Sequence, residues 1–146
     1  MNLNMLPRGS LVFLSFGEID CRINEGIIPA AAKSKKSIEL IAREVASGFV
    51  SWVFNQSLVN NHQYFFFNVP APVYDKRFSN PENLQMSEVV KIFNNELARK
   101  VAAVGMNLID VHEKTADQIG FSNGFFHCDA HHLDTQALAI VQDQFG

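Results

Sequence analysis

Three short apolar runs, separated by segments of helical period, constrain this chain more than any other feature. Residues 11–16 (LVFLSF) end at Gly17, residues 64–69 (YFFFNV) end at Pro70, and residues 107–111 (NLIDV) follow Gly105. Each has the length of a strand. The first two are almost unbroken in apolar character, as strands covered on both faces of a parallel sheet need to be. Between the runs, Ile38, Ile41, Ala42, Val45, Phe49, Trp52 and Val53 recur at helical spacing. Met86, Val89, Val90, Phe93, Leu97, Val101 and Val104 do the same. Gly105 fits the position just past the second helix, with Arg99 and Lys100 in its last turns. A third helix is predicted over 133–144. The order strand, helix, strand, helix, strand, loop, helix reads as consecutive βαβ units with right-handed crossovers. The expected fold is therefore α/β, a three-layer α/β/α sandwich around a parallel sheet.

Composition narrows the function classes. The 146 residues suit one domain over 1–146, and 47% apolar against 18% charged residues excludes a disordered chain. A net charge of −3 argues against a nucleic-acid binder working by bulk charge. No apolar run approaches the roughly 20 residues that span a bilayer. Residues 1–16 make a poor secretory signal, with no Lys or Arg before the first Leu and no small-residue cleavage site after the apolar run. Cys21 and Cys128 form neither a disulfide framework nor a zinc pattern, so a reducing, cytoplasmic compartment is expected. The phenylalanines clustered at 65–67 and 121–126 read as core filling. Lys33, Lys35 and Lys36 read as a solvated face.

In an open α/β sheet, ligands bind beyond the carboxyl ends of the strands. Here those ends are 17–22 (GEIDCR), 70–76 (PAPVYDK) and 112–115 (HEKT). The first places Glu18, Asp20 and Arg22 together after a glycine that lets the backbone turn and approach a ligand. Asp20 and Arg22 could hold each other, or a substrate carboxylate or phosphate. The competing reading is a structural ion pair capping the strand end. A second cluster, 127–134 (HCDAHHLD), holds three imidazoles and two carboxylates. The three-residue spacing of Asp129 and His132 can put the carboxylate on one ring nitrogen, freeing the other as a general base. His127, Asp129 and His131 could instead ligate a divalent ion, and Asp129 or Asp134 could simply cap the last helix. Either cysteine could be a nucleophile through a nearby cation. His112 faces either the site or solvent.

Together, LVFLSFGEIDCR and HCDAHHLD resemble the third and fifth sequence blocks of the SGNH (GDSL-like) hydrolases, over roughly residues 11–146. There a buried strand ends in Gly-x-Asn-Asp, and an Asp-x-x-His precedes the C-terminal helix. The resemblance implies a flavodoxin-like sheet and ester or acyl-transfer chemistry by serine, histidine and aspartate, with no cofactor. Matched by position, His132 is the base, Asp129 its orienter, Gly17 the opening of the third block and Asp20 its closing acid. The chain departs from the family twice. The Gly-Asp-Ser block that carries the nucleophile has no counterpart here, and Ser10 lies at the wrong end of its strand. The oxyanion asparagine is replaced by Ile19, which cannot donate a hydrogen bond; losing one such donor typically costs about 10²–10³ in rate.

These departures give the chain the aspect of the C-terminal part of a larger hydrolase-like domain. The first strand would then lie at a sheet edge, which invites a further strand or a second copy of the chain. The expected ligand is a small-molecule ester or carbohydrate, with neither nucleic acid nor membrane as partner. A non-catalytic module, binding a sugar or small acid through Gly17, Glu18, Asp20, Arg22 and the histidines, is the alternative. A hydrolase using a metal held by His127, Asp129 and His131 is the third reading.

Overall fold

The structure, a computed structural model, describes residues 3–145; residues 1, 2 and 146 of the expected domain lie outside the described residues. Strands β1 (Leu11–Ser15), β2 (Gln63–Phe67) and β3 (Asn107–Ile109) form one parallel sheet in the order β1-β2-β3. Val12 faces Tyr64 and Leu14 faces Phe66 in register, and Phe66 in turn faces Leu108. The connections carry helices α1 (Ile27–Ser34) and α2 (Ile38–Asn60), then α3 (Asn80–Ala103). A short helix α4 (His112–Thr115) follows β3, and α5 (Leu138–Phe145) ends the described chain.

Three strands laid down in one direction by crossovers of one hand send their connecting helices to the same face. The main core agrees with this. Val12, Leu14, Tyr64 and Phe66 pack with the buried residues of α1, α2 and α3. The residues that alternate with them form a smaller cluster, in which Phe65 and Ile109 meet Ile140 of α5. Both long helices begin as their sequences dictate. Ser37 accepts the Leu40 N–H at the start of α2. Ser79 and Glu82 form a reciprocal capping box at the start of α3, where Pro81 costs no hydrogen bond. Gly105 (φ 69°) follows the end of α3 as expected.

The differences from expectation have local causes. β1 is not covered on both faces: Val12 and Leu14 are buried, but Leu11 and Phe13 are 54% and 42% exposed. β1 pairs on one side only among the described residues, and the cluster around Ile140 is centred on β2 and β3. Phe13 stacks on Phe65 and Phe67 there, with ring centroids 5.2 and 6.0 Å away. Trp52 is half-exposed on α2, off the buried stripe. Phe125 is exposed, so only part of the second phenylalanine cluster fills a core. The last helix starts later than predicted, because Asp134 accepts the Gln136 N–H and holds Thr135–Ala137 as a 3-10 turn. Helix α1 carries Pro29 in its first turn and is too short for periodicity to reveal. No helix among the described residues is long and apolar enough to cross a membrane.

Candidate functional site

The loop after β1 is a tight turn. Gly17 (φ 100°) reverses the chain, and Ile19–Cys21 form one turn of 3-10 helix. Gly17 is buried, and a Cβ there would overlap the ring of Phe93 on α3. Its freedom therefore serves helix packing, not the approach of a ligand. The expected Asp20–Arg22 pair does not form. Arg22 instead donates Nε to Glu18 Oε1 at 2.9 Å and Nη2 to Oε2 at 2.7 Å, and its Nη1 lies 3.5 Å from Glu25. The four-residue spacing puts Glu18 and Arg22 on one side of the turn, where a two-residue spacing separates Asp20 from Arg22. Asp20 is half-buried, and desolvation raises its carboxyl pKa, partly opposed by its own backbone N–H. Ile19 is 56% exposed. Cys21 is buried, and burial followed by the charges of Asp20 and Glu18 pushes its thiol well up. An uncharged buried thiol is no nucleophile. Ser10 stands just before β1, at the end of the strand away from this loop, and donates to the Pro7 carbonyl.

The loop after β2 is clamped by buried polar side chains. Asn94 accepts from Val69 N and donates to Val69 O, both at 2.8 Å. Thr115 accepts from Ala71 N at 2.9 Å. Asn83, wholly buried, accepts from Asp75 N and donates to the Asp75, Phe78 and Ser79 carbonyls. Irregular backbone so held keeps its hydrogen bonds without joining a sheet.

The 127–134 segment closes on itself. Cys128 N donates to His132 O, Asp134 N donates to Phe126 O, and His127 bridges Leu133. Asp129 organises the tip. Its Oδ1 accepts the backbone N–H groups of His131 and His132, each at 2.7 Å, and its Oδ2 lies 2.7 Å from His132 Nδ1. Those contacts, the His131 N–H first, hold the Asp129 carboxyl well below the usual carboxylate range. The His132 ring is 73% exposed. Its Nε2 has no hydrogen-bond partner among the described residues. Cys128 is exposed and donates its thiol to the His132 carbonyl.

These loops meet at a cleft of about 250 Å³. Its floor includes Val69, Ala71, Met86 and Val90, and its rim includes Glu18, Arg22, His127 and His131. His131 Nδ1 lies 3.1 Å from Glu18 Oε1, which ties the β1 loop to the last loop. Asp75, on the rim, is bound by Arg77, which draws its carboxyl pKa down to about 2. Of the expected residues, then, Glu18 and Arg22 line the cleft, while Gly17, Asp20, Asp129 and His132 stand outside its lining. The histidines on the cleft are His127 and His131, the latter adjacent in sequence to the aspartate-bound one. The 112–115 segment supports the cleft through Thr115 and does not line it. Among the described residues, no three His, Cys, Asp or Glu side chains converge to hold a metal ion, so the His127, Asp129 and His131 ligand set is not assembled. Asp75 and Arg77 went unremarked in the sequence, although the two-residue Asp-to-Arg spacing in a Pro-rich loop is an Asx-turn signal.

Two histidines set an acid limit on stability. Burial lowers the pKa of His112 and of His127. His112 shares a polar cavity with Asp110 and Lys91, and its Nε2 is buried without a partner among the described residues. The unfolded chain takes up protons near the ordinary value of about 6.5, and the folded chain resists them. Stability is therefore full above that pH and falls as pH drops toward the lowered folded values. Thermal unfolding between about pH 7 and about pH 5 should show the midpoint falling. His112→Phe should flatten that slope without lowering the midpoint at neutral pH. An unchanged slope would remove His112 as a cause.

Comparison of the chain with protein-family models, with curated proteins and with solved structures finds no match.

Proposed function

We propose that this chain carries the base half of a Ser-His-Asp acyl-transfer site, on a flavodoxin-like α/β/α sandwich of the SGNH-hydrolase kind, acting on an ester-linked acyl group. The observation that supports the reading is the Asp129–His132 pair. One carboxylate holds the imidazole by both backbone and Nδ1, which leaves Nε2 unengaged and able to take a proton. Asp129 orients the ring and stabilises the imidazolium that forms. His132 takes the proton from the attacking hydroxyl or water and returns it to the leaving alcohol. No serine or threonine hydroxyl bonds His132 Nε2 among the described residues, so the attack available to this chain alone is that of water.

The test is hydrolysis of p-nitrophenyl butanoate by the purified chain. His132→Ala and Asp129→Ala should each lower the rate by about 10²-fold, the low end for a general base, while His131→Ala keeps most of it. Equal losses at His131 and His132 overturn the assignment. So does a rate no higher than buffer from a chain whose circular dichroism shows it folded. Fluorophosphonate labelling of a serine, lost in His132→Ala, would add a nucleophile from within the chain.

A second reading, a non-catalytic binding module, has its own support. His131 and Glu18 line the cleft, whereas His132 does not, and exposed Ile19 supplies no donor for an oxyanion.

A further inference from the structure

A second cavity, of about 370 Å³, lies against α3 beyond the ends of β2 and β3 and shares no lining residue with the cleft. The carboxyl end of a parallel strand is where open α/β sheets take their ligands. Two of its polar side chains are structural. Asn94 is committed to both backbone groups of Val69. Asn68 accepts the Val111 and His112 N–H groups and donates to Asp110 Oδ1 at 2.8 Å. That carboxylate oxygen also accepts the Glu113 N–H. These bonds tie the wall of the cavity to the backbone.

The groups left over carry opposite charges. Asp110 Oδ2, Lys91 Nζ, the Asn95 amide and His112 Nδ1 have no hydrogen-bond partner among the described residues, and His112 Nε2 is buried without one. Burial lowers the His112 pKa, so the ring is uncharged near neutral pH. Lys91 and Asp110 are then the two charged side chains of the lining. Both are half-buried, and no ion pair joins them. The tip of the Lys91 arm is seated at Gly120 (φ 91°), where a Cβ would lie 2.8 Å from Nζ. Asp117, outside the lining, feels that ammonium without bonding it, and its Oδ1 holds the Ile119 and Phe121 N–H groups. An anion entering alone would meet Lys91 but also the charge of Asp110. A cation alone would meet the reverse. A molecule bearing both charges answers both side chains at once.

We propose that this cavity binds a small zwitterionic amino acid, its carboxylate on Lys91 Nζ, its ammonium on Asp110 Oδ2 and its aliphatic side chain on Ala98 and Leu108. The Asn95 amide and the His112 ring border the same space as further polar contacts. The volume of about 370 Å³ lies at the low end of the roughly 300–1,000 Å³ of small-molecule sites, which suits a ligand of amino-acid size. Asp129 and His132 are not part of this lining, and the inference does not rest on the acyl-transfer reading.

The test uses binding alone, so a failure of hydrolysis leaves it untouched. The whole chain, labelled with ¹⁵N, is titrated at neutral pH with three probes built on one carbon skeleton. L-Valine carries both charges, 3-methylbutanoate lacks the ammonium, and 2-methylpropylammonium lacks the carboxylate. L-Valine should shift the amides of Asn95, Asp110 and His112 saturably. It should bind at least about tenfold tighter than either ion, as the loss of one charge-assisted hydrogen bond predicts. Lys91→Met removes no bond within the described residues. It should weaken L-valine by about tenfold or more and leave 2-methylpropylammonium no weaker. Asp110→Asn keeps the Oδ1 acceptor for Asn68 and Glu113. It should weaken L-valine by a similar factor and leave 3-methylbutanoate no weaker. Either ion binding as tightly as L-valine overturns the proposal. So does L-valine binding that either substitution leaves unchanged, or no saturable shift at these residues in a folded chain.

Discussion

Gly17→Ala is expected to lower the unfolding free energy by about 3 kcal/mol, from two sources that can be separated. The first is the backbone: at φ 100° a Cβ is strained wherever it points, at a cost of about 1–3 kcal/mol. The second is the ring of Phe93, which a Cβ would overlap and which is wholly buried in α3. Overpacking of that kind typically costs about 1–3 kcal/mol. Phe93 cannot withdraw freely, because Phe16 stands 6.0 Å from it and itself stacks on Phe49 at 3.8 Å. Phe93→Ala alone should cost about 3–5 kcal/mol through the cavity it leaves. In that background Gly17→Ala meets open space and should cost only its backbone share. A double-mutant cycle by urea unfolding should therefore show the two changes less than additive by about 1–2 kcal/mol. Strict additivity would mean that Gly17 is required for its backbone angle alone.

Asn83→Ala is expected to cost about 3 kcal/mol and to loosen the cleft wall before the rest of the fold. One buried amide satisfies the Asp75 N–H at 2.8 Å and the carbonyls of Asp75, Phe78 and Ser79 at 3.0, 3.3 and 3.0 Å. Its removal strands the Asp75 N–H and the Phe78 carbonyl, each costing about 1–3 kcal/mol where water cannot replace it, while the Asp75 and Ser79 carbonyls keep the N–H groups of Phe78 and Asn83. Asn83→Asp should be no rescue, since it keeps the acceptor, loses the donor and turns a carboxylate toward carbonyl oxygens. Hydrogen exchange should locate the damage. The Asp75 amide should lose protection first, while Phe66 in β2 keeps its own. Uniform loss of protection across both would show that the loop is part of the global unfolding unit, not a separately clamped wall.

The fold was legible to the extent that it is periodic. The two long helices and three strands announced themselves because burial repeats every few residues, and Ser37, Ser79 and Gly105 stand at their ends. The limits of that method are visible in α1, eight residues with Pro29 near its start, and in the last helix, which Asp134 delays with a 3-10 turn. β1 shows a different limit. Its composition suits a strand covered on both faces, but its place at the edge leaves Leu11 and Phe13 half-exposed.

What the sequence by itself determined is whatever a few neighbouring residues can settle. The Asp129–His132 hydrogen bond spans three positions and was legible from that spacing, whereas Glu18, four positions from Arg22, takes the place expected of Asp20. Only the tertiary structure decided which histidines meet the cleft, that Gly17 lies under Phe93, and that Asn83, Asn94 and Thr115 hold the cleft wall. Asn94 and Thr115 bond backbone 25 and 44 residues before them, Gly17 meets one ring of α3, and Asn83 holds irregular backbone within eight residues of itself. Such contacts have no repeat along the sequence, and they exist only once the sheet and helices have packed to bring their ends together.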